Sequence, residues 1–299
     1  MAVACELPSE SDRPITHWSS RELADEVTKR EIVPSISTRT VGRLLDEADL
    51  KPHQSRYWLN PKIEDREQFD QEVKTICDLY QEASELAKKG VKVLSCDEKT
   101  GIQALERIAL SKPMLPGLPE RREHSYRRHG TLNLLANFDI VVGRIEAPTL
   151  SLTRTEVDFE QHIRQTIARD PNASYVFVLD QLNTHKSESL VRLVAEDEGI
   201  DQSTLGKKGQ KGILKSMASR KAFLENKSHR IRFVYTPKHT SWLNQVEIWF
   251  SILVRKLLKR GSFDSLEDLS ARILAFIDYF NQTMAKPFKW TFKGRPLAA

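Results

Sequence analysis

The chain has 299 residues, 39% of them hydrophobic and 29% charged, ordinary values for a globular protein with room for two domains. Its formal net charge is +5, which permits a polyanionic partner without requiring one. Three scattered cysteines, Cys5, Cys77 and Cys96, argue against a disulfide framework or a zinc site and for reduced thiols in a cytoplasmic protein. No stretch has the length and apolarity of a membrane span, and the first residues lack the basic flank and apolar run of a signal peptide.

Residues 1–14 are expected to form a disordered lead. Ser19 and Glu22 make a capping box, so a helix starts near Ser20 with Leu23 and Val27 inward. Ile32-Val33-Pro34 breaks it. A second helix carries Val41, Leu44, Leu45 and Ala48 and stops before Lys51-Pro52. Two helices of this size fit either a helix-turn-helix or an ordinary helical hairpin. In the first case Ser37, Thr38, Arg39, Thr40 and Arg43 face the DNA. The predicted division is a helix-turn-helix domain at 1–60, a linker helix at 61–89, a catalytic domain at 90–262, and a C-terminal helix and tail at 263–299. The helix following Pro61 shows one apolar stripe, Phe69, Val73, Ile76, Tyr80 and Ala83, suited to packing on the next domain or, less simply, to pairing two protomers.

From Gly90 the pattern changes to strands, predicted at 91–96, 131–138, 140–146, 174–180 and 231–235. Helices fall between the later ones, around Phe159/Ile163/Ile167 and Leu190/Leu193/Val194. A helix over 242–258 carries Leu243, Val246, Phe250, Leu253 and Leu257 inward. Another follows with Leu266, Leu269, Ile273, Phe276, Ile277 and Phe280. This order implies an α/β layer structure with a mixed sheet, preceded by a small all-α domain.

Asp97 ends the run Val91–Cys96, and Asp180 ends the run Tyr175–Leu179. Glu247 lies beside the apolar stripe of its helix. Two strands that each present a carboxylate at the C-terminal end, with a third from a helix, suit a pair of Mg²⁺ ions, hard cations that take oxygen ligands. A lone acid at a strand end is usually a solvated turn residue; the blocks that follow these acids carry the argument. They are Asp97-Glu98-Lys99-Thr100-Gly101, Asp180-Gln181-Leu182-Asn183-Thr184-His185 and Thr236 to Glu247.

These blocks, in this order, resemble the catalytic blocks of the IS630 group of transposases within the IS630/Tc1/mariner superfamily. The resemblance extends to Ala285-Lys286-Pro287-Phe288-Lys289-Trp290-Thr291-Phe292 and to the N-terminal helices. It implies an RNase H-like catalytic domain with Asp97, Asp180 and Glu247 as a DDE triad holding two Mg²⁺, with Mn²⁺ as a substitute. It further implies a bacterial, nucleoid-associated enzyme that cleaves and joins strands at the terminal inverted repeats of an insertion sequence, as a homodimer on double-stranded DNA. Family members commonly carry a further helix-turn-helix upstream. The stretch from 181 to 246 is longer than typical, the surplus falling around 197–229, and Gln181 stands where Asn commonly follows the aspartate.

Asn183, His185, His239 and Asn244 are expected to hydrogen-bond around the acids rather than ligate, since Mg²⁺ disfavours imidazole. The 205–232 stretch carries Lys207, Lys208, Lys211, Lys215, Arg220, Lys221, Lys227, Arg230 and Arg232, with Glu225 as its only acid; it reads as a phosphate-binding surface or a solvated loop. Arg121, Arg122, Arg127 and Arg128 form a second basic cluster. Trp242 and Trp249 are expected in the core rather than stacked on bases. The rival readings are a DNA-binding relic without turnover and a nuclease of the same fold that does not join strands.

Overall fold

The computed structural model describes residues 1–55, 63 and 65–292, which divide into two compact units, Met1–Lys62 and Ile63–Ala299. The expected helix start at Pro61 lies outside the described residues.

The N-terminal unit holds α1 (Ala2–Cys5), α2 (Ser20–Lys29) and α3 (Thr38–Glu47). The Ser19–Glu22 capping box is present: the Glu22 N–H donates to Ser19 Oγ at 3.3 Å and the Ser19 N–H to Glu22 Oε2 at 2.9 Å. Ser37 caps α3 through the Thr40 N–H at 3.0 Å. The lead expected to be disordered is packed instead. Val3 joins Trp18, Leu23, Val41 and Leu45 in the core, and the Trp18 indole donates to the Glu6 carbonyl at 2.9 Å. Leu44, expected inward, is 40% exposed; Val41 and Leu45 alone complete that stripe. Glu26 is buried between Arg13 and Arg30, at 2.8 and 2.9 Å. The Arg30 guanidinium, then that of Arg13, hold its carboxyl down at about 2 against the opposing effect of burial.

The second unit runs α4 (Arg66–Lys88), β1 (Val91–Arg107), β2 (Tyr126–Asp139), β3 (Ile145–Ser151), α5 (Glu156–Ala168), β4 (Ser174–Leu179), α6 (Glu188–Asp197), α7 (Met217–Leu224), β5 (Ile231–Tyr235), α8 (Val246–Leu253) and α9 (Leu266–Thr283). The sheet order is β3-β2-β1-β4-β5. β1–β2 and β2–β3 are antiparallel, while β1–β4 and β4–β5 are parallel. Strand alternation divides the side chains between two cores. Val93, Val176 and Val178 face α4, α8 and α9; Leu94, Tyr175, Phe177 and Leu179 face α5, α6 and α7. The stripe Val73, Ile76, Tyr80 and Ala83 of α4 packs into the first core, so this helix and α9 belong to the same unit as the sheet.

Three expectations are corrected. β1 does not stop at Cys96: beyond its last parallel pair, Ser95–Val178, it continues beside β2 to Arg107, with a register shift between Lys99 and Ile102 at the expected turn. Residues 140–143 form the β2–β3 turn rather than a strand. Asp139 Oδ1 accepts there from the Val141 and Val142 N–H groups, both at 2.8 Å. The expected 242–258 helix is a 3-10 turn at Ser241–Leu243, then α8, then a wider π-type turn at Val254–Leu258.

β3 lies at the sheet edge and is interrupted. Ala147 has φ 45°, and Pro148 has no N–H to offer. Asn281 of α9 bonds both backbone groups of Ile145, Oδ1 accepting and Nδ2 donating at 2.9 Å each.

Candidate catalytic site

Register brings the two aspartates to one place. Val93 pairs with Val176 and Ser95 with Val178; two residues on, Asp97 of β1 stands beside Asp180 just past β4. Period-two alternation puts both on the α8 side of the sheet. Parallel pairing ends here because β4 ends, which opens a notch at the edge.

Asp97 is buried and held at both oxygens. Oδ1 accepts from the Glu98 N–H at 2.8 Å, and Oδ2 from Asn244 Nδ2 at 3.0 Å. Asn244 also donates to the Cys96 carbonyl at 3.0 Å, and its Oδ1 accepts from Ser95 Oγ. Ser95 Oγ in turn accepts from the Val246 N–H at 2.9 Å. This buried network pins the start of α8 to β1 beside the acid. Burial, then the Asp180 charge, raise the Asp97 carboxyl to about 7; Glu247 adds to this, while the Glu98 N–H and His185 oppose it.

Asp180 is partly exposed. Its Oδ1 accepts from the Leu182 N–H at 2.9 Å and lies 2.7 Å from His185 Nδ1, which is off the axis of a straight hydrogen bond. Burial alone would raise Asp180; the contact and charge of His185, the Leu182 N–H and Lys186 together bring it below the ordinary carboxylate range. His185 is fully buried, its ring 4.3 Å from that of Phe159 and its carbonyl accepting from Tyr235 Oη at 2.7 Å.

Glu247 sits in the first turn of α8, half-buried. Burial raises its carboxyl, Lys99 lowers it and Asp180 raises it. Among the described residues it makes no side-chain hydrogen bond or ion pair. The three acids thus act on one another electrostatically, and among the described residues no lysine or arginine is bridged to any of them. Among the described residues no three of His, Cys, Asp and Glu stand close enough together to hold a metal ion. Hard oxygen donors in a partly buried notch, their negative charge only partly offset by His185 and Lys186 at Asp180 and by Lys99 at Glu247, are the donor chemistry a divalent cation fits.

Of the four residues expected around the acids, Asn244 and His185 contact them. Asn183 and His239 do not: both are exposed, Asn183 at the start of a 3-10 turn and His239 in a left-handed conformation at φ 64°. His239 shares a cleft with Asp180, Lys238 and Ser241. Gln181 takes a structural role, Nε2 donating to the Thr236 carbonyl at 2.8 Å and tying the ends of β4 and β5 together. Ser95 and Tyr80 went unread in the sequence. The only signal was a serine inside an apolar strand on the parity of Asp97, and a tyrosine on a buried stripe.

The basic residues divide. Lys207, Lys208, Lys211 and Lys215 are exposed. The first three ride a turn between Gly206 and Gly212, where a Cβ would come within 2.1 Å of the Lys211 carbonyl oxygen and 2.5 Å of the Leu205 carbonyl oxygen. Arg220 and Arg230 are structural: Arg220 donates to the Lys186 and Leu214 carbonyls, and Arg230 pairs with Asp197. Arg122 donates to the Lys259 carbonyl at 2.8 Å. Arg127 and Arg128 are exposed on β2 near the far end of the β1–β2 ribbon. In the N-terminal unit Ser37, Thr38, Arg39 and Arg43 are exposed and Thr40 is half-buried. Trp249 is core as expected, but Trp242 is 51% exposed.

A mixed sheet of this order, with two acids in register where its parallel strands end, is an RNase H-like architecture. The chain belongs to the family described as DDE superfamily endonuclease, whose model matches residues 92–270. Among solved structures it is similar to a pre-cleavage Mos1 transpososome, at 14% identity over 90% of this chain and 68% of that one, with a TM-score of 0.50. The Mos1 transposase paired-end complex with left transposon end matches at 15% identity over 90% and 68%, with a TM-score of 0.49. At its identity the likeness to the pre-cleavage transpososome speaks for the fold alone. No curated protein matches. Among the described residues no helix is long and apolar enough to cross a membrane.

Proposed function

We propose that this endonuclease is a transposase that cleaves DNA at the ends of an insertion sequence and transfers the freed strand to a target. The observation that carries the reading is the register that sets Asp97 beside Asp180, with Glu247 in the first turn of the helix whose start is pinned to β1 beside them. Asp97 and Asp180 would hold one Mg²⁺, or Mn²⁺ in its place, and Asp97 and Glu247 a second, so that no three acids need converge on a single ion. Such ions, when bound, neutralise charge on the phosphate and on the attacking and leaving oxygens.

The chain's own groups do the rest. Asn244 and the Glu98 N–H fix the plane of the Asp97 carboxylate, leaving its remaining lone pairs toward the notch. His185, held by Phe159 and Tyr235, sets the orientation of Asp180. Thr38, Arg39 and Arg43, with Ser37 and Thr40 shaping the start of α3, are assigned to the major groove of the element's ends. Lys207, Lys208, Lys211 and Lys215 are assigned to backbone phosphates, as are Arg127 and Arg128. Arg127 lies about 30 Å along the ribbon from Asp97, reckoned at ~3.3 Å per residue. A homodimer on paired ends, in the bacterial cytoplasm, belongs to the same proposal; the similar Mos1 structure is itself a transpososome.

The test is Mg²⁺-dependent nicking of a duplex carrying the element's own terminal repeats, followed by detection of joined products. Nicking lost in Asp97→Asn together with joined strands in wild type supports the reading. Equal nicking by wild type and Asp97→Asn refutes the site; cuts without joined products reduce the function to a nuclease.

A further inference from the structure

The segment 286–292 is built into the second unit in a way that the catalytic assignment leaves unused. It crosses the β2–β3 turn where Gly143, at φ 75°, leaves room: a Cβ there would lie 2.0 Å from the Lys286 carbonyl carbon. Beyond this it alternates with the period of an extended chain, Phe288, Trp290 and Phe292 half-buried on the core, Lys289 and Thr291 exposed. Each aromatic touches a different element. Phe288 stacks on Phe138 of β2, with centroids 4.5 Å apart and planes 9° apart. Trp290 meets Tyr80 of α4 edge-on at 5.0 Å and 75°. Phe292 meets Trp242 edge-on at 5.0 Å and 85°.

The last two contacts converge on one turn. Trp242 belongs to it, and buried Tyr80 Oη donates to the carbonyl of Leu243 in it at 2.8 Å. The next residue is Asn244, which holds the Asp97 carboxylate and whose own carbonyl accepts from the Glu247 N–H at 3.1 Å. Among the described residues no ion pair and no capping side chain fixes the start of α8 from the solvent side; its N-cap, Gln245, makes no cap bond.

We propose that Trp290 and Phe292 are positioning residues. They strap the Ser241–Asn244 turn so that Asn244 and Glu247 keep their places relative to Asp97. The inference rests on the catalytic reading of those acids. Neither aromatic touches the acids; both act through the turn, as the outer partners of a ligand set act through the ligands they orient.

The experiment compares wild type with Trp290→Ala and Phe292→Ala, with Phe292→Tyr as the conservative variant. Ile163→Val, in the core on the opposite sheet face, serves as a control for lost stability. Mn²⁺ affinity is read by titration calorimetry without DNA, and nicking is resolved into kcat and KM. Expected are a loss of roughly 10-fold or more in Mn²⁺ affinity and in kcat for the two alanine variants, a KM for DNA within about 3-fold, and recovery in Phe292→Tyr. The control should melt earlier yet bind Mn²⁺ as wild type does. Wild-type Mn²⁺ affinity in both alanine variants overturns the strap, as does a control that loses as much affinity as they do. A wild type that binds Mn²⁺ but does not cut DNA refutes the transposase reading and leaves the strap to be judged on the affinities alone. A wild type that binds no Mn²⁺ overturns both.

Discussion

Removing the charge at Asp97 should stabilise the protein while abolishing its chemistry. The carboxyl is raised from 3.8 to about 7, by burial first and by Asp180 next. An acid raised in the folded state is disfavoured there when ionised. Its cost is therefore absent below the unfolded value and grows as pH rises through about 7. Three units correspond to an upper value of ~4 kcal/mol at pH 8. Asparagine forfeits part of this. Asp97 accepts two hydrogen bonds, one on each oxygen, and an amide has a single oxygen, so one donor loses its partner at a cost of ~1–2 kcal/mol. The net gain is ~2 kcal/mol, or about 4–8 °C for a unit of this size. Calorimetry of Asp97→Asn and wild type at pH 8 in a chelator measures it. The gap should shrink as pH falls toward 4. Saturating Mn²⁺ should close it by stabilising wild type alone, by ~2.7 kcal/mol at a hundred times Kd. An Asp97→Asn transition equal to or below that of wild type in the chelator at pH 8 would refute the account of a strained, uncompensated charge.

In the N-terminal unit, the Glu26 carboxyl is depressed from 4.5 to about 2, so its contribution is whole above the unfolded value and lost as pH falls through that window. Water screens the cluster on so small a unit, and Glu26→Gln should cost ~1–2 kcal/mol at pH 7. Circular dichroism melts at pH 7 and pH 2.5 should show the difference shrink to about a quarter at the lower value, where the folded carboxyl is still largely ionised. Replacing Lys207, Lys208 and Lys211 together by alanine should reduce the slope of log K against log salt by ~2–3, since each phosphate contact adds ~0.9, with little loss of nicking at saturating DNA; an unchanged slope removes that loop from the interface. Gly143→Ala should melt earlier and lose Mn²⁺ affinity together, because its methyl group displaces the Lys286 backbone. A merely strained turn would lower the melting temperature alone.

Much of the site was legible because it is local. Continuous apolar runs placed Asp97 and Asp180 where strands run out, and the stripe of α8 placed Glu247 beside its buried face. The register that joins the two aspartates was not legible, since pairing between residues far apart in sequence leaves no periodic trace. For the same reason the links of Tyr80 and Ser95 to the turn that carries Asn244, a residue expected beside the acids, did not show. Lys99-Thr100-Gly101 reads as a turn but is a register shift within a long antiparallel ribbon, and Ile140-Val141-Val142 reads as strand but is a turn set by the Asp139 carboxylate. Local apolarity could not outvote tertiary pairing at either place. Trp242 was expected in the core because its helix was taken to start there; the 3-10 turn rotates it outward, against Phe292.

The outermost strand has a consequence for how copies of this protein meet. An open row of backbone donors and acceptors invites intermolecular strand addition and aggregation. β3 offers little of that row: Ala147 turns the chain aside, Pro148 lacks a donor, and Asn281 occupies both groups of Ile145. Molecules crowded side by side along one stretch of DNA are thereby kept from adding strands at the β3 edge, so contacts made there are left to side chains, which can be released.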